Sequence, residues 1–104
     1  MTQPHELSTI EAIMHDVRSC INEHTLDEIY AMQRDDLMSL HHDLGRFIRN
    51  RYQLWHTNPL TFGWREYPKG RLIVDGVDHS ADHPDAVSSR VIYALWMYLQ
   101  KERA

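Results

Sequence analysis

Residues 82–99 read DHPDAVSSRVIYALWMYL, and the fold turns on how this stretch is punctuated and patterned. Asp82-His83-Pro84-Asp85 supplies a capping residue, then a proline where a missing N–H costs nothing, then an acid at the positive end of a helix. Val87, Val91, Leu95 and Tyr98 recur at helical spacing, and Ile92, Trp96 and Leu99 widen the stripe. So wide an apolar face predicts a central helix packed on several neighbours, or one that lends a face to a partner.

Upstream, Asp35-Asp36 suits the start of a helix running to Tyr52 or Trp55, with Leu37, Leu40, His41, Leu44, Ile48, Tyr52 and Trp55 as its stripe. Successive residues about 100° apart put His41 inside that stripe, Gly45 at its edge and Arg49 just beyond. Phe47 and Trp55 lie near enough to be expected in the core. Two more helices precede this one. Ser8-Thr9-Ile10-Glu11 is a capping box ahead of Ile10, Ile13, Met14, Val17, Cys20 and Ile21. Thr25-Leu26-Asp27-Glu28 is a second box ahead of Ile29 and Met32, leaving Asn22-Glu23-His24 as the turn.

From His56 to about Asp82 the helical signal is lost among Pro59, Gly63, Pro68, Gly70 and Gly76. Within this stretch Leu72-Ile73-Val74, followed by Asp75-Gly76, suits a short strand entering the tight turn of a two-strand hairpin. A segment this long without helix is usually functional or partly mobile. The expected architecture is mainly α, a single helical domain over residues 1–104, with about four helices and one long irregular loop carrying a short β-hairpin.

Bulk composition narrows the classes. At 104 residues the chain is too short for two cores, and 42% hydrophobic with 25% charged residues argues against disorder. The single cysteine, Cys20, excludes an internal disulfide and falls in a helical apolar pattern, which predicts a buried, inert thiol. No apolar run approaches the roughly 20 residues of a membrane span, and the first residues lack the basic and apolar regions of a secretory signal. Together these predict a cytoplasmic protein with no membrane partner.

The formal net charge of −4 is unevenly spread. Residues 1–43 carry −7, residues 44–71 carry +5 and residues 72–104 carry −2. The basic middle holds Arg46, Arg49, Arg51, Arg65, Lys69 and Arg71. It is interleaved with Phe47, Tyr52, Trp55, Phe62, Trp64 and Tyr67, six of the ten aromatics. Guanidinium groups among aromatics bind phosphates and stack bases. The same mixture supplies most hot spots of protein interfaces, and it also builds ordinary cores. Overall acidity favours a protein partner over nucleic acid.

Signatures of catalysis and metal binding are weak. Asp75, Asp78, His79, Asp82, His83 and Asp85 offer ligands, but their spacing fits neither an HExxH pair nor a calcium loop, so no metal is expected. His41, His42 and Asp43 diverge around a helix, and His41 on an apolar stripe predicts a core histidine with a hydrogen-bond partner. Ser88 or Ser89 with His83 lacks a Gly-x-Ser-x-Gly elbow. Phosphate loops and dinucleotide fingerprints are absent too, so no cofactor is expected.

Two blocks resemble segments of a small bacterial family known as a domain of unknown function. Residues 41–55, from His41-His42-Asp43-Leu44-Gly45 through Ile48-Arg49-Asn50 to Leu54-Trp55, resemble its H-x-x-L-G-x-x-I-R-N-x-x-x-L-W segment. His83-Pro84-Asp85 with Ser88 resembles its H-P-D-x-x-S segment, although Ala86 stands where a second acid is expected and Arg90 where an apolar residue is usual. The resemblance implies a fold type and no activity. Bottom-up, Gly45 is expected to permit close approach of a neighbouring helix, and Arg49 to reach the Asp85 end of the last one. His41, Arg49, His83 and Asp85 then form either a polar network or a ligand pocket.

The leading expectation is a small non-enzymatic protein-binding module, an inhibitor or regulator of another bacterial or phage protein, with a homodimer also open. Its partner-binding residues are Phe62, Trp64, Arg65, Tyr67, Lys69 and Arg71, with at least one of Trp64 and Tyr67 substantially exposed. The alternatives are a nucleic-acid or nucleotide binder through residues 46–71, and an enzyme or metal site around His41, Arg49, His83 and Asp85.

Overall fold

Three of the four α-helices begin at a side chain that takes up a free backbone N–H, and those caps fix their starts in a computed structural model that describes residues 3–104. Helix α1 spans Ile10–Cys20, where the Thr9 hydroxyl accepts from the Ala12 N–H at 3.0 Å. Thr9 rather than Ser8 is therefore the cap. Helix α2 spans Glu23–Ala31, because the Asn22 side chain accepts from the Thr25 N–H at 2.8 Å. The expected turn at 22–24 is thus the cap and first residues of a helix that starts earlier than Thr25. Helix α4 spans Pro84–Glu102, and its cap is His83, whose Nδ1 accepts from the Asp85 N–H at 3.0 Å.

The expected long third helix is divided. Arg34–Leu40 winds as a 3-10 segment under a capping box between Gln33 and Asp36, the chain turns at His41-His42, and helix α3 spans Asp43–Arg51. Gln53, at φ +54°, then ends α3 in the left-handed region. That kink shifts the register, so Leu54 is buried and Trp55, the helical extrapolation, is exposed. Phe47 is exposed as well, since Gly45, Ile48, Arg49 and Tyr52 form the inward face of α3. Cys20 is likewise exposed rather than buried, because α1 stops there and Ile21 swings inward in extended conformation.

Helix α4 is central, as its wide stripe requires. It packs against α1, α2, α3 and the 3-10 segment, burying Val87, Val91, Ile92, Leu95 and Leu99 against Ile13, Val17, Leu26, Ile29, Ile48 and Tyr52. Polar ties close the seams. The Trp96 indole N–H donates to the Met32 carbonyl at 2.9 Å, and the Gln100 amide donates to the Tyr30 carbonyl at 2.9 Å. The acidic front and basic middle also meet. Tyr52 Oη donates to Asp16 at 2.5 Å and Arg51 Nε at 3.0 Å. Burial pushes the Asp16 carboxyl up, but these hydrogen bonds outweigh it and hold the group below its ordinary range, while burial and the same bond push the Tyr52 phenol up.

Between α3 and α4 runs the long loop, which contains strands β1 (Ile73–Val74) and β2 (Val77–Asp78), paired antiparallel. Asp75 at φ +51° and Gly76 at φ +79° make the two-residue turn with both centres left-handed, the geometry that suits a right-twisted hairpin. The radius of gyration, 14.4 Å, exceeds the roughly 13 Å typical of this length, as expected if the hairpin stands off the helices.

Candidate functional site

The two segments singled out in sequence meet where α3 crosses α4. Arg49 is buried, and its guanidinium lies in a cage of acceptors. Nη1 donates to Ser88 Oγ at 3.1 Å, Nη2 donates to the His41 carbonyl at 3.3 Å, and Nε stands 3.6 Å from Asp85 Oδ1. Ser88 Oγ donates in turn to the Asp85 carbonyl at 3.0 Å. Gly45 makes the cage possible. A Cβ there would lie 2.8 Å from Arg49 Nη1 and 3.6 Å from Arg49 Cζ, nearer than the next neighbour, Leu40 O at 3.7 Å. The glycine therefore makes room for a guanidinium, not for the approach of a neighbouring helix as its edge position suggested.

This arrangement is a structural tie. Ser88 is fully buried between a cation and a carbonyl, and His83 Nδ1 is engaged as the cap of α4. His41 departs from expectation. It sits at the joint between the 3-10 segment and α3, edge-on to His42, and its Nδ1 is buried with no hydrogen-bond partner among the described residues. It borders a cleft of about 240 Å³ between that segment and α4, with Arg34, Ser89 and Tyr93 on the walls. Among the described residues no three His, Cys, Asp or Glu side chains gather as metal ligands.

His83 links the tie to a second feature. Its ring packs edge-to-face on Trp64 at 4.4 Å and on Trp55 at 5.4 Å, and the two indoles meet at 5.9 Å. Edge-to-face pairs of this kind contribute about 0.5–1.5 kcal/mol each beyond the area they bury. In front of them lies an open cleft of about 410 Å³, bordered by Phe62, Trp64, Arg65, Glu66 and Tyr67, with Trp55 and His56 completing it. Phe62 is 70% exposed and Tyr67 50%, whereas Trp64 is half-buried by its stacking. The Arg65 guanidinium lies over the Trp64 ring at 5.0 Å.

Of the six partner-binding residues expected from sequence, Phe62, Trp64, Arg65 and Tyr67 thus share one cleft. Lys69 and Arg71 do not border it. Lys69 bridges Asp78 at 3.6 Å and Asp82 at 3.5 Å at the base of the hairpin, and Arg71 lies exposed beside it. The basic middle is divided further, since Arg49 is buried in the tie and Arg51 is paired with Asp16.

Sequence reasoning missed Asn58, the fully buried centre of this loop. Its Nδ2 donates to the carbonyls of Leu7 and Tyr52, both at 3.0 Å, and its Oδ1 accepts from the Leu60 N–H at 2.9 Å. Its own carbonyl accepts from the Thr61 and Phe62 N–H groups. The signal was Asn58-Pro59, since asparagine ahead of proline marks a turn closed by the side chain. Trp55, His56 and Glu66 were missed as cleft residues because a helix extended to residue 55 turns Trp55 inward.

The fold and site define a small helical domain, centred on one long helix, that braces an aromatic loop on a buried arginine tie. A family model described as a domain of unknown function (DUF6794) matches residues 8–99, and the chain belongs to that family. Neither the curated proteins nor the solved structures offer a match.

Proposed function

We propose that this chain is a small non-enzymatic protein-binding module, an inhibitor or regulator of another bacterial or phage protein, and that the aromatic cleft of the loop is its contact surface. The observation that carries the reading is a stack of Trp55, Trp64 and His83 beside rings left in solvent, Phe62 and Tyr67. Rigid, exposed aromatics with an adjacent arginine are what interface hot spots are made of, and a fold that needed those rings for its own core would have buried them. The division of the basic residues supports the same preference. With Arg49 caged and Arg51 and Lys69 in ion pairs, a phosphate backbone would be met by fewer cations than the sequence offers. An exposed, free Cys20 is in keeping with the reducing cytoplasm.

The test pairs Phe62→Ala with Tyr67→Ala, which leaves the Trp55–Trp64–His83 stack in place. The double variant should melt within a few degrees of the parent, since exposed positions rarely exceed about 0.5 kcal/mol. In affinity capture from a native lysate it should lose a protein that the parent retains, at a cost of about 2 kcal/mol or more in binding. Retention of every captured protein by a folded double variant would remove the cleft from this role.

A further inference from the structure

We infer that the hairpin is an interface between two copies of this chain, which pair antiparallel along β1 with Ile73 opposite Ile73 of the second copy. This is independent of the aromatic cleft. A two-strand hairpin is marginal in water unless a third strand or a packing surface supports it. The helices supply no such surface. Ile73 is 57% exposed and Val77 56%, with Leu72 and Val74 also in solvent. Sheet edges are commonly guarded by a lysine, a proline or a bulge, and Leu72-Ile73-Val74 has no such guard.

The register follows from the hydrogen bonds. The His79 N–H donates to the Leu72 carbonyl at 2.7 Å, so Leu72 and His79 form a bonded pair. Alternation along an antiparallel ladder then makes Ile73–Asp78 a non-bonded pair and Val74–Val77 a bonded one. The N–H and C=O of Ile73 therefore point out of the hairpin edge. Across a two-fold axis they can exchange bonds only with a residue of the same orientation, which within β1 is Ile73 itself.

Two consequences of that register favour a second copy as the occupant. Leu72 comes opposite Val74 of the second copy and Val74 opposite Leu72. Because Val77 is already paired with Val74, six apolar side chains gather on one face of a four-stranded sheet. Two residues from the axis, Arg71 comes opposite Asp75 of the second copy, and this happens twice. Other charges around the hairpin are engaged within the chain, Lys69 with Asp78 and Asp82, and Arg90 with Asp82. Among the described residues neither Arg71 nor Asp75 has an ion-pair partner, and the two can meet across the axis.

Sedimentation velocity of the full chain over a concentration series tests this. The parent should form dimers. Ile73→Pro removes only an N–H that points outward and should give a monomer with unchanged helical circular dichroism. Arg71→Glu and Asp75→Lys each set like charges opposite one another twice, and each should weaken association about tenfold or more. An equimolar mixture of these two variants should dimerise again, because every altered charge then faces its opposite. Strain from lysine at the left-handed position 75 would not be relieved by mixing, so recovery reports the register itself. A parent that stays monomeric, a dimer unaffected by Ile73→Pro, or charge variants that fail to recover on mixing would each overturn the inference.

Discussion

Gly45→Ala should destabilise this protein, although alanine is much the better helix former. Inside a helix the exchange alone stabilises by about 0.5–1 kcal/mol. Here the new Cβ would stand 2.8 Å from Arg49 Nη1 and 3.6 Å from Arg49 Cζ. Restoring ordinary contact requires the guanidinium to move by about 0.6 Å. An exposed arginine would simply swing away, but this one is buried and held by Ser88, the His41 carbonyl and Asp85. Its bond to Ser88 is already 3.1 Å long, so a shift of that size away from Ser88 carries it beyond hydrogen-bond range. Losing a charged, buried hydrogen bond costs about 1.5–3 kcal/mol, which leaves a net destabilisation of about 0.5–2.5 kcal/mol after the propensity gain. For a domain of this size that lowers the melting temperature by about 2–12 °C. The assay is a double-mutant cycle with Arg49→Met, read by thermal and urea denaturation. Once the guanidinium is gone, Gly45→Ala should become stabilising by about 0.5–1 kcal/mol. If alanine raised the melting temperature in the native background, or acted equally in both, Gly45 would have no part in seating Arg49.

Two further outcomes follow from the loop. The Ser80 hydroxyl and N–H, the Gly70 N–H and the Lys69 charge hold the Asp78 carboxyl at about 2, against an ordinary 3.8. A lowered carboxyl stabilises the folded form fully above pH 3.8 and loses that effect as pH falls toward about 2, so the base of the hairpin should loosen in that window. Carbon-detected NMR titration of Asp78, with the Gly70 and Ser80 amides as reporters, should show a midpoint well below 4; one near 4 would mean the carboxyl is not held. Asn58→Ala should orphan two carbonyls and an N–H, costing about 2–4 kcal/mol in thermal denaturation, and a loss below about 1 kcal/mol would show that the loop is anchored elsewhere.

How much of the fold could be read depended on whether local pattern and tertiary packing agreed. They agree along α4, where a proline start, an acid at the positive end and a wide stripe all point one way, and where the centrality of the helix follows directly. They agree again at Asp75-Gly76, since two left-handed residues leave the chain few alternatives to a tight hairpin. They diverge between Asp35 and Trp55. Helical periodicity runs through that stretch almost unbroken, yet the chain winds as 3-10 and turns at His41-His42, which leaves the His41 carbonyl available to Arg49. A buried cation needs acceptors, and that need is invisible to a count of apolar positions. The caps of α1 and α2 moved for a simpler reason. Several hydroxyl and amide side chains compete for each helix start, and only the geometry of the entering chain decides between Thr9 and Ser8, or between Asn22 and Thr25.

The candidate site was legible as a composition and not as a shape. Aromatics and arginines between glycines and prolines marked the loop, and four of the six residues singled out there do share a cleft. Its back wall was hidden because it comes from both ends of the loop, Trp55 just beyond α3 and His83 at the cap of α4, which approach only once Asn58 has folded the chain between them. His83 then has two tasks at once. Its ring supports Trp55 and Trp64, while its Nδ1 holds the Asp85 N–H, and the Asp85 carboxylate faces Arg49. The tie in the core and the wall of the cleft are consequently joined through consecutive residues, His83, Pro84 and Asp85. The rings of the cleft are thereby backed by the central helix of the domain, which is the support the proposed contact surface requires. The histidine-proline-aspartate at the head of α4 is thus the joint that connects a buried arginine to an exposed aromatic surface.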